Sequence, residues 1–474
     1  MQKLNEICSC ESKANSETEF VGIRCEKSKE GGVLETSIIF PLGYFKDDSA
    51  LRELPEEELR ECVVNLFTVL SDRSLQEQIH QNSSISTFAE EHGESEFPMV
   101  SYLNIIRNFL DFGYLDEKEI LYKKGANGKI HWGRTIKAVR PVITENEQNL
   151  VYLDFIARKV SYNEDTLITQ VHKFCVHDAL VKLGFLFGIE PSEEPLLDFD
   201  YDLFCNAIHS KLAKTFNDRD LRLLADLARI VEYLAGHKTE DGKTADDFYF
   251  GVNKFAPVWE AMVDKIFGKL PQGVAKDKFN PHCEWDLNSR KPGYENPNYA
   301  MRPDTIMWDE EGNRLYVLDA KYYKFGMTGS ASDLPSSGSI CKQIAYAEYV
   351  ETHWKKILGV DSIATPSTSL QNDTQPKPIY NAFLLPYCFD ADNSQLPPDD
   401  GFETRPCKMR FIGYGHGNWK NLDARLGEGD YRPYHRIAGI LLDVRSVMEN
   451  YGAFGEAQKT LATCILREIT NFSG

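Results

Sequence analysis

The chain has 474 residues, room for about three domains, and its 42% apolar and 26% charged content is that of an ordinary soluble protein. No apolar run approaches the roughly 18 residues of a membrane span, and the opening Met1-Gln2-Lys3-Leu4-Asn5-Glu6 has no signal-peptide core, so a cytoplasmic protein with no membrane partner is expected. A formal charge of −19 argues against a free-standing DNA binder, because DNA affinity rests largely on Lys and Arg neutralising phosphates.

Residues 19–44 read as a hairpin with Glu30-Gly31-Gly32 in the turn, and residues 51–115 as mainly helical, with the amphipathic stretch from Leu103 to Leu110 ending near Gly113. Two strand-like runs, from Ile120 to Lys124 and from Lys129 to Trp132, flank Gly125-Ala126-Asn127-Gly128 and predict a basic-edged hairpin. A helix followed by such a hairpin resembles a winged helix near residues 97–145. Its Lys123, Lys124, Lys129 and Arg134 suit contact with a DNA backbone, and the same module serves equally for protein docking. Residues 150–235 read as helical, and His172, His177 and His209 within them lack metal-site spacing and read as structural. The eleven cysteines are scattered, with no Cys-x-x-Cys pair to build a zinc site, and read as free thiols. No Gly-x-x-x-x-Gly-Lys-[Ser/Thr] occurs, so the chain is not itself a P-loop NTPase.

The chemistry is concentrated further on. Apolar residues at 255, 258, 259, 262, 263, 266 and 267 follow helical period up to Gly268, and Glu260 is an acid within that helix, either a ligand or a residue of its solvated flank. Arg302-Pro303-Asp304 leads into the run Thr305-Ile306-Met307-Trp308. A polar turn with Gly312 follows, then Leu315-Tyr316-Val317-Leu318, then Asp319-Ala320-Lys321. A hairpin brings its ends together, so Asp304 is expected beside Asp319, and strand alternation puts Asp319 and Lys321 on one face. Two carboxylates and an ammonium at one point are the signature of a metal-dependent phosphodiesterase of the PD-(D/E)xK kind. Asp304 and Asp319 suit Mg²⁺, or Mn²⁺ as a substitute, with the Ala320 carbonyl as a third ligand. Lys321 suits orienting water and offsetting phosphoryl charge.

A helix follows from Ser339 to Trp354. It carries Lys342, suited to phosphate, with Gln343 and Tyr346 close to the same face. Runs at 379–386, 409–414 and 437–444 read as strands, the last leading into a helix that ends near Tyr451. Gly326 to Ser339 and Gly359 to Lys377 read as loops from their Gly, Ser, Thr, Pro and Gln content, the first placed to order over a substrate. Against the overall acidity stand Lys265, Lys269, Lys276, Lys278, Arg290, Lys291 and Arg302, a local gathering of basic residues around the hairpin.

These residues carry a resemblance. Phe250-Gly251 through Val258-Trp259-Glu260, Arg302-Pro303-Asp304, Leu318-Asp319-Ala320-Lys321-Tyr322-Tyr323 and Lys342-Gln343-Ile344-Ala345-Tyr346 are similar to the motifs of LlaJI-type restriction endonucleases. Phe20-Val21-Gly22-Ile23 and Ile39-Phe40-Pro41-Leu42-Gly43-Tyr44 resemble that family's opening. The resemblance implies Mg²⁺-dependent cleavage of double-stranded DNA in bacterial restriction, with Glu260, Asp304, Asp319, Lys321 and Gln343 in the active site and Glu260 as a further metal ligand. It also implies a McrB-like GTPase motor as partner. Related nucleases often space the Gln and Tyr of the helix by four, whereas Gln343 and Tyr346 are three apart.

The expected architecture is an α+β multidomain chain. A recognition or docking region spans 1–150, with the winged-helix-like part near 97–145; a helical linker spans 151–240; a PD-(D/E)xK α/β nuclease core spans 241–474. Cutting both DNA strands suggests a homodimer. The alternatives are a non-catalytic assembly subunit and a repair-type nuclease.

Overall fold

The computed structural model describes residues 8–12, 19–27, 34–72, 97–115, 117–125, 128–143, 150–163, 166–191, 194–236, 247–285, 294–295, 301–358, 378–389, 407–420, 422, 431–451 and 454–471. The chain divides into two compact units. One comprises residues 3–92 and 247–474; the other comprises 93–246 with the first two residues. The first unit opens with β1 (Cys8–Ser12), β2 (Val21–Lys27), β3 (Leu34–Phe40), α1 (Asp48–Glu53) and α2 (Glu56–Leu70). The inserted unit contains α3 (Met99–Phe112), β4 (Glu117–Lys124), β5 (Lys129–Ile130), α4 (Trp132–Ala138), β6 (Ile156–Asn163), α5 (Leu167–Phe187), α6 (Tyr201–Leu212) and α7 (Asp218–Gly236). The first unit resumes with β7 (Phe248–Val252), α8 (Ala256–Phe267), β8 (Thr305–Asp309), β9 (Arg314–Ala320), α9 (Ser337–Ile357), β10 (Ile379–Tyr387), β11 (Met409–Gly415), β12 (Ile437–Asp443), α10 (Val444–Glu449) and α11 (Phe454–Asn471).

In the first unit, β2 and β3 form the expected antiparallel pair; the turn with Glu30-Gly31-Gly32 lies outside the described residues. The hairpin is part of a four-stranded sheet in the order β1-β3-β2-β7. Gly22 and Gly251 face each other across β2 and β7. A Cβ on Gly22 would lie 2.2 Å from the Phe250 carbonyl oxygen, and one on Gly251 2.3 Å from that of Val21. Paired glycines thus permit the close approach that joins the N-terminal hairpin to the strand before α8.

The second sheet of this unit has the order β8-β9-β10-β12-β11, with β9, β10 and β12 parallel and β8 and β11 antiparallel at the edges. All nine residues of β10 are buried, as a central parallel strand covered on both faces requires, which is why it reads as one apolar run. The crossover from β9 to β10 contains α9. Tyr346, Ala347, Val350, Trp354 and Ile357 of α9 pack with Ile306, Leu315 and Val317, and Phe279 joins them. The helix α8 packs on β8 and β9 and against α11. The segment read as a loop at 326–339 is folded into a helical turn (Phe325–Thr328), a 3-10 turn (Ala331–Asp333) and the start of α9. Gly326 sits so close to the Pro386 carbonyl that a Cβ would fall 2.3 Å from it, so packing on β10 replaces the expected irregularity. The segment 359–377 lies outside the described residues.

In the inserted unit α3, α5, α6 and α7 pack on one another, joined by polar contacts such as Ser101 Oγ to Asp226 at 2.8 Å and Tyr102 Oη to Asp178 at 2.6 Å. The winged-helix hairpin is corrected: β4 and β5 do not pair with each other, because β6 lies between them in the order β4-β6-β5. Strands adjacent in sequence separated for a more distant strand, Ile156–Asn163, which falls in a stretch expected to be helical. His172 is buried and its Nδ1 accepts the Leu115 N–H at 3.0 Å, while burial pulls its pKa down to about 4, leaving it a neutral structural group.

Candidate active site

The hairpin does what its spacing predicts. The β8–β9 register pairs Thr305 with Leu318, which sets Asp304 across from Asp319. The turn is closed by the Gly312 N–H donating to Asp309 Oδ1 at 2.9 Å and by Asn313 at φ 52°. Lys321 Nζ lies 2.6 Å from Asp319 Oδ2 and 4.0 Å from Asp304 Oδ2. Asp304 Oδ2 also accepts the Ala320 N–H at 3.0 Å, so strand backbone and Lys321 both address the same carboxylate. Asp319 is 5% exposed, and Ala320 is buried at the strand end.

The electrostatics follow from crowding. Burial, then the Asp319 charge and a hydrogen bond shared with it, hold the Asp304 carboxyl well above the usual carboxylate range. Burial also raises Glu260 on α8, offset by Lys321, raised again by Asp319 and lowered by Lys342. Burial alone would pull the Lys321 ammonium down, but Asp319, then Asp304, outweigh it and keep its pKa raised. Asp304, Asp319, Lys321 and Glu260 thus form one electrostatic cluster. Among the described residues, no group of three or more His, Cys, Asp or Glu side chains is placed to hold a metal ion together.

Gln343 and Tyr346 of α9 hold the sheet. Gln343 is 1% exposed and its Nε2 donates to the Val317 carbonyl at 2.6 Å; the Tyr346 hydroxyl donates to the Arg302 carbonyl at 2.8 Å. With a spacing of three, Gln343 reaches the second hairpin strand and Tyr346 the segment that leads into the first. Lys342 is exposed, with Nζ 5.7 Å from the Tyr346 ring. Lys123, Lys124, Lys129 and Arg134 are exposed in the inserted unit; Lys124 pairs with Asp154 at 2.7 Å and the Arg134 guanidinium lies 3.8 Å from the Tyr122 ring centre.

The basic gathering around the hairpin is partly consumed internally. Lys265 pairs with Asp72, Lys269 with Glu310 at 3.8 Å and Lys276 with Asp264 at 2.7 Å, while Arg290 and Lys291 lie outside the described residues. The sequence pattern gives no sign of the role of Lys276, whose Nζ also donates to the Asp304 carbonyl at 2.5 Å. The two are 28 residues apart, and no periodicity connects them.

The chain is similar to a component of the type II restriction enzyme BsuMI of Bacillus subtilis (strain 168), YdjA, at 24% identity over 251 residues; these are 50% of this chain and 51% of the relative. It thus spans about half the length of that curated relative. Among solved structures, it is similar to a chain in the assembly of Thermococcus gammatolerans McrB AAA+ hexamers with bound McrC, at 13% identity and a TM-score of 0.34, covering 95% of this chain and 83% of that one. No described helix is long and apolar enough to cross a membrane. The LlaJI restriction endonuclease family matches residues 42–395, a span that contains the hairpin, α8 and α9, and the chain belongs to that family.

Proposed function

We propose that the chain is the divalent-metal-dependent DNA endonuclease of a bacterial restriction system, with a PD-(D/E)xK core within 241–474. The observation that carries this reading is the convergence of Asp304, Asp319 and Lys321 at one end of β8 and β9. The donor set fits Mg²⁺ or Mn²⁺: both take hard oxygens, and Mg²⁺ usually needs only one or two protein carboxylates. A carboxyl such as that of Asp304, whose proton affinity is raised by burial and by the neighbouring Asp319 charge, is an arrangement that a divalent cation relieves. Asp304, Asp319 and the Ala320 carbonyl would hold the ion, with Glu260 as an outer acid. When bound, such an ion supplies Lewis-acid stabilisation of a scissile phosphate and makes water a better nucleophile.

The remaining roles belong to the side chains. Lys321, kept charged by Asp319, orients the attacking water and offsets charge on the phosphate. Gln343 acts by fixing β9 under Asp319. Lys342, Lys123, Lys124, Lys129 and Arg134 are proposed contacts to double-stranded DNA. With a net charge of −19, the grip on DNA is assigned to a McrB-like GTPase partner, and cutting of both strands to a second copy of the chain.

Restriction of phage tests the proposal. A bacterium carrying this chain with its neighbouring restriction genes should plate unmodified phage poorly, and Asp319→Ala should restore full plating while the protein still accumulates. Undiminished restriction by Asp319→Ala would overturn the catalytic reading.

A further inference from the structure

We propose that Lys276 is a positioning residue that sets the place of Asp304 relative to the helix carrying Glu260, an inference that rests on the metal-site reading above. Lys276 opens a 3-10 turn, Lys276–Phe279, that is anchored by the fully buried Phe279 in the core shared by Ile306, Val317 and Tyr346. From that anchor its Nζ donates to the Asp304 main-chain carbonyl at 2.5 Å and pairs with Asp264 Oδ2 at 2.7 Å. Asp264 stands one turn after Glu260 on α8, so the two acids project from neighbouring positions on that helix. One ammonium therefore ties the helix of Glu260 to the backbone of Asp304.

The opposite end of the same short segment is tied as well, by the Tyr346 hydroxyl on the Arg302 carbonyl. Residues 302–304 precede β8 and have no strand ladder of their own, so these two donors hold the backbone from which the Asp304 carboxylate projects toward the Ala320 N–H. Outer partners that orient a ligand commonly govern metal affinity by 10–100-fold.

The test is Mn²⁺ binding to the purified full-length chain, read by electron paramagnetic resonance of the free ion, with melting temperature measured alongside. Lys276→Met is expected to weaken Mn²⁺ binding by about tenfold or more. Asp264→Asn should reproduce much of that loss, and Lys276→Arg, which keeps a charged donor, should recover most of it. Because Lys276 is partly exposed, Lys276→Met should melt close to wild type. Wild-type Mn²⁺ affinity in Lys276→Met, alongside lost affinity in Asp304→Asn, overturns the positioning role and leaves the metal site standing. Wild-type affinity in Asp304→Asn itself overturns the metal site and the role of Lys276 with it.

Discussion

Asp304 and Asp319 illustrate how two residues 15 apart become neighbours through a single turn. Hairpin geometry is local, so the meeting of Asp304, Asp319 and Lys321 was legible from strand runs and the polar turn between them. Lys276 was not legible, because its partner is chosen by tertiary packing of Phe279 and not by any spacing. The site's acidity carries a prediction. Asp304 and Glu260 have raised pKa values, so without a cation they retain protons to higher pH than ordinary carboxyls. A cation binds only the deprotonated forms. Mn²⁺ affinity should therefore fall as pH drops through that raised range, and binding within that range should release protons into weakly buffered solution. Calorimetry in two buffers of different ionisation enthalpy measures the release, which Asp304→Asn should diminish; equal heats in both buffers would contradict it. Lys321→Met should retain the fold and lose roughly 10²–10³-fold in cleavage rate, the size of effect of one removed charge-stabilising donor, as measured by single-turnover gel assay.

Among the elements, α9 bears on the hairpin through Gln343 and Tyr346, and its separation of three in place of four still delivers one donor to β9 and one to the segment entering β8. Tyr346→Phe removes only a hydroxyl bond and should cost about 1 kcal/mol in urea unfolding. Its effect on cleavage should exceed that expected from the stability loss, since Arg302 lies two residues from Asp304. Gly22→Ala should be more damaging, because the new methyl would meet the Phe250 carbonyl and Gly22 has φ 142°. A loss of about 1–3 kcal/mol is expected, checked by thermal unfolding. Strand identity at 379–387 and 437–443 was readable from apolar runs, since buried parallel strands have little else in them. The antiparallel edge strand 409–415 is only partly buried and was readable from its shorter apolar run. The pairing of β4 and β5 was not, because both find a more distant partner in β6, and nearness in sequence is a poor guide once a third strand competes.

For the whole molecule, the joining of residues 3–92 to 247–474 is a long-range event that composition gave no sign of; Gly22 opposite Gly251 is its local mark, visible only once the pairing is known. The inserted unit 93–246 carries exposed Lys123, Lys124, Lys129 and Arg134. If these touch DNA phosphates, reversing the charges of Lys123 and Lys124 should reduce the salt slope of DNA binding by about one for each phosphate no longer neutralised. An unchanged slope would leave that surface to protein docking. The nuclease reading itself is most directly tested on unmethylated duplex DNA with purified chain and Mg²⁺, with and without the GTPase and GTP, beside Asp319→Ala and a chelator control. The expected result is cleavage by wild type under at least one of these conditions, abolished by chelation and by Asp319→Ala. Cleavage that survives both, or its absence under every condition, would contradict a metal-dependent active site at Asp304, Asp319 and Lys321.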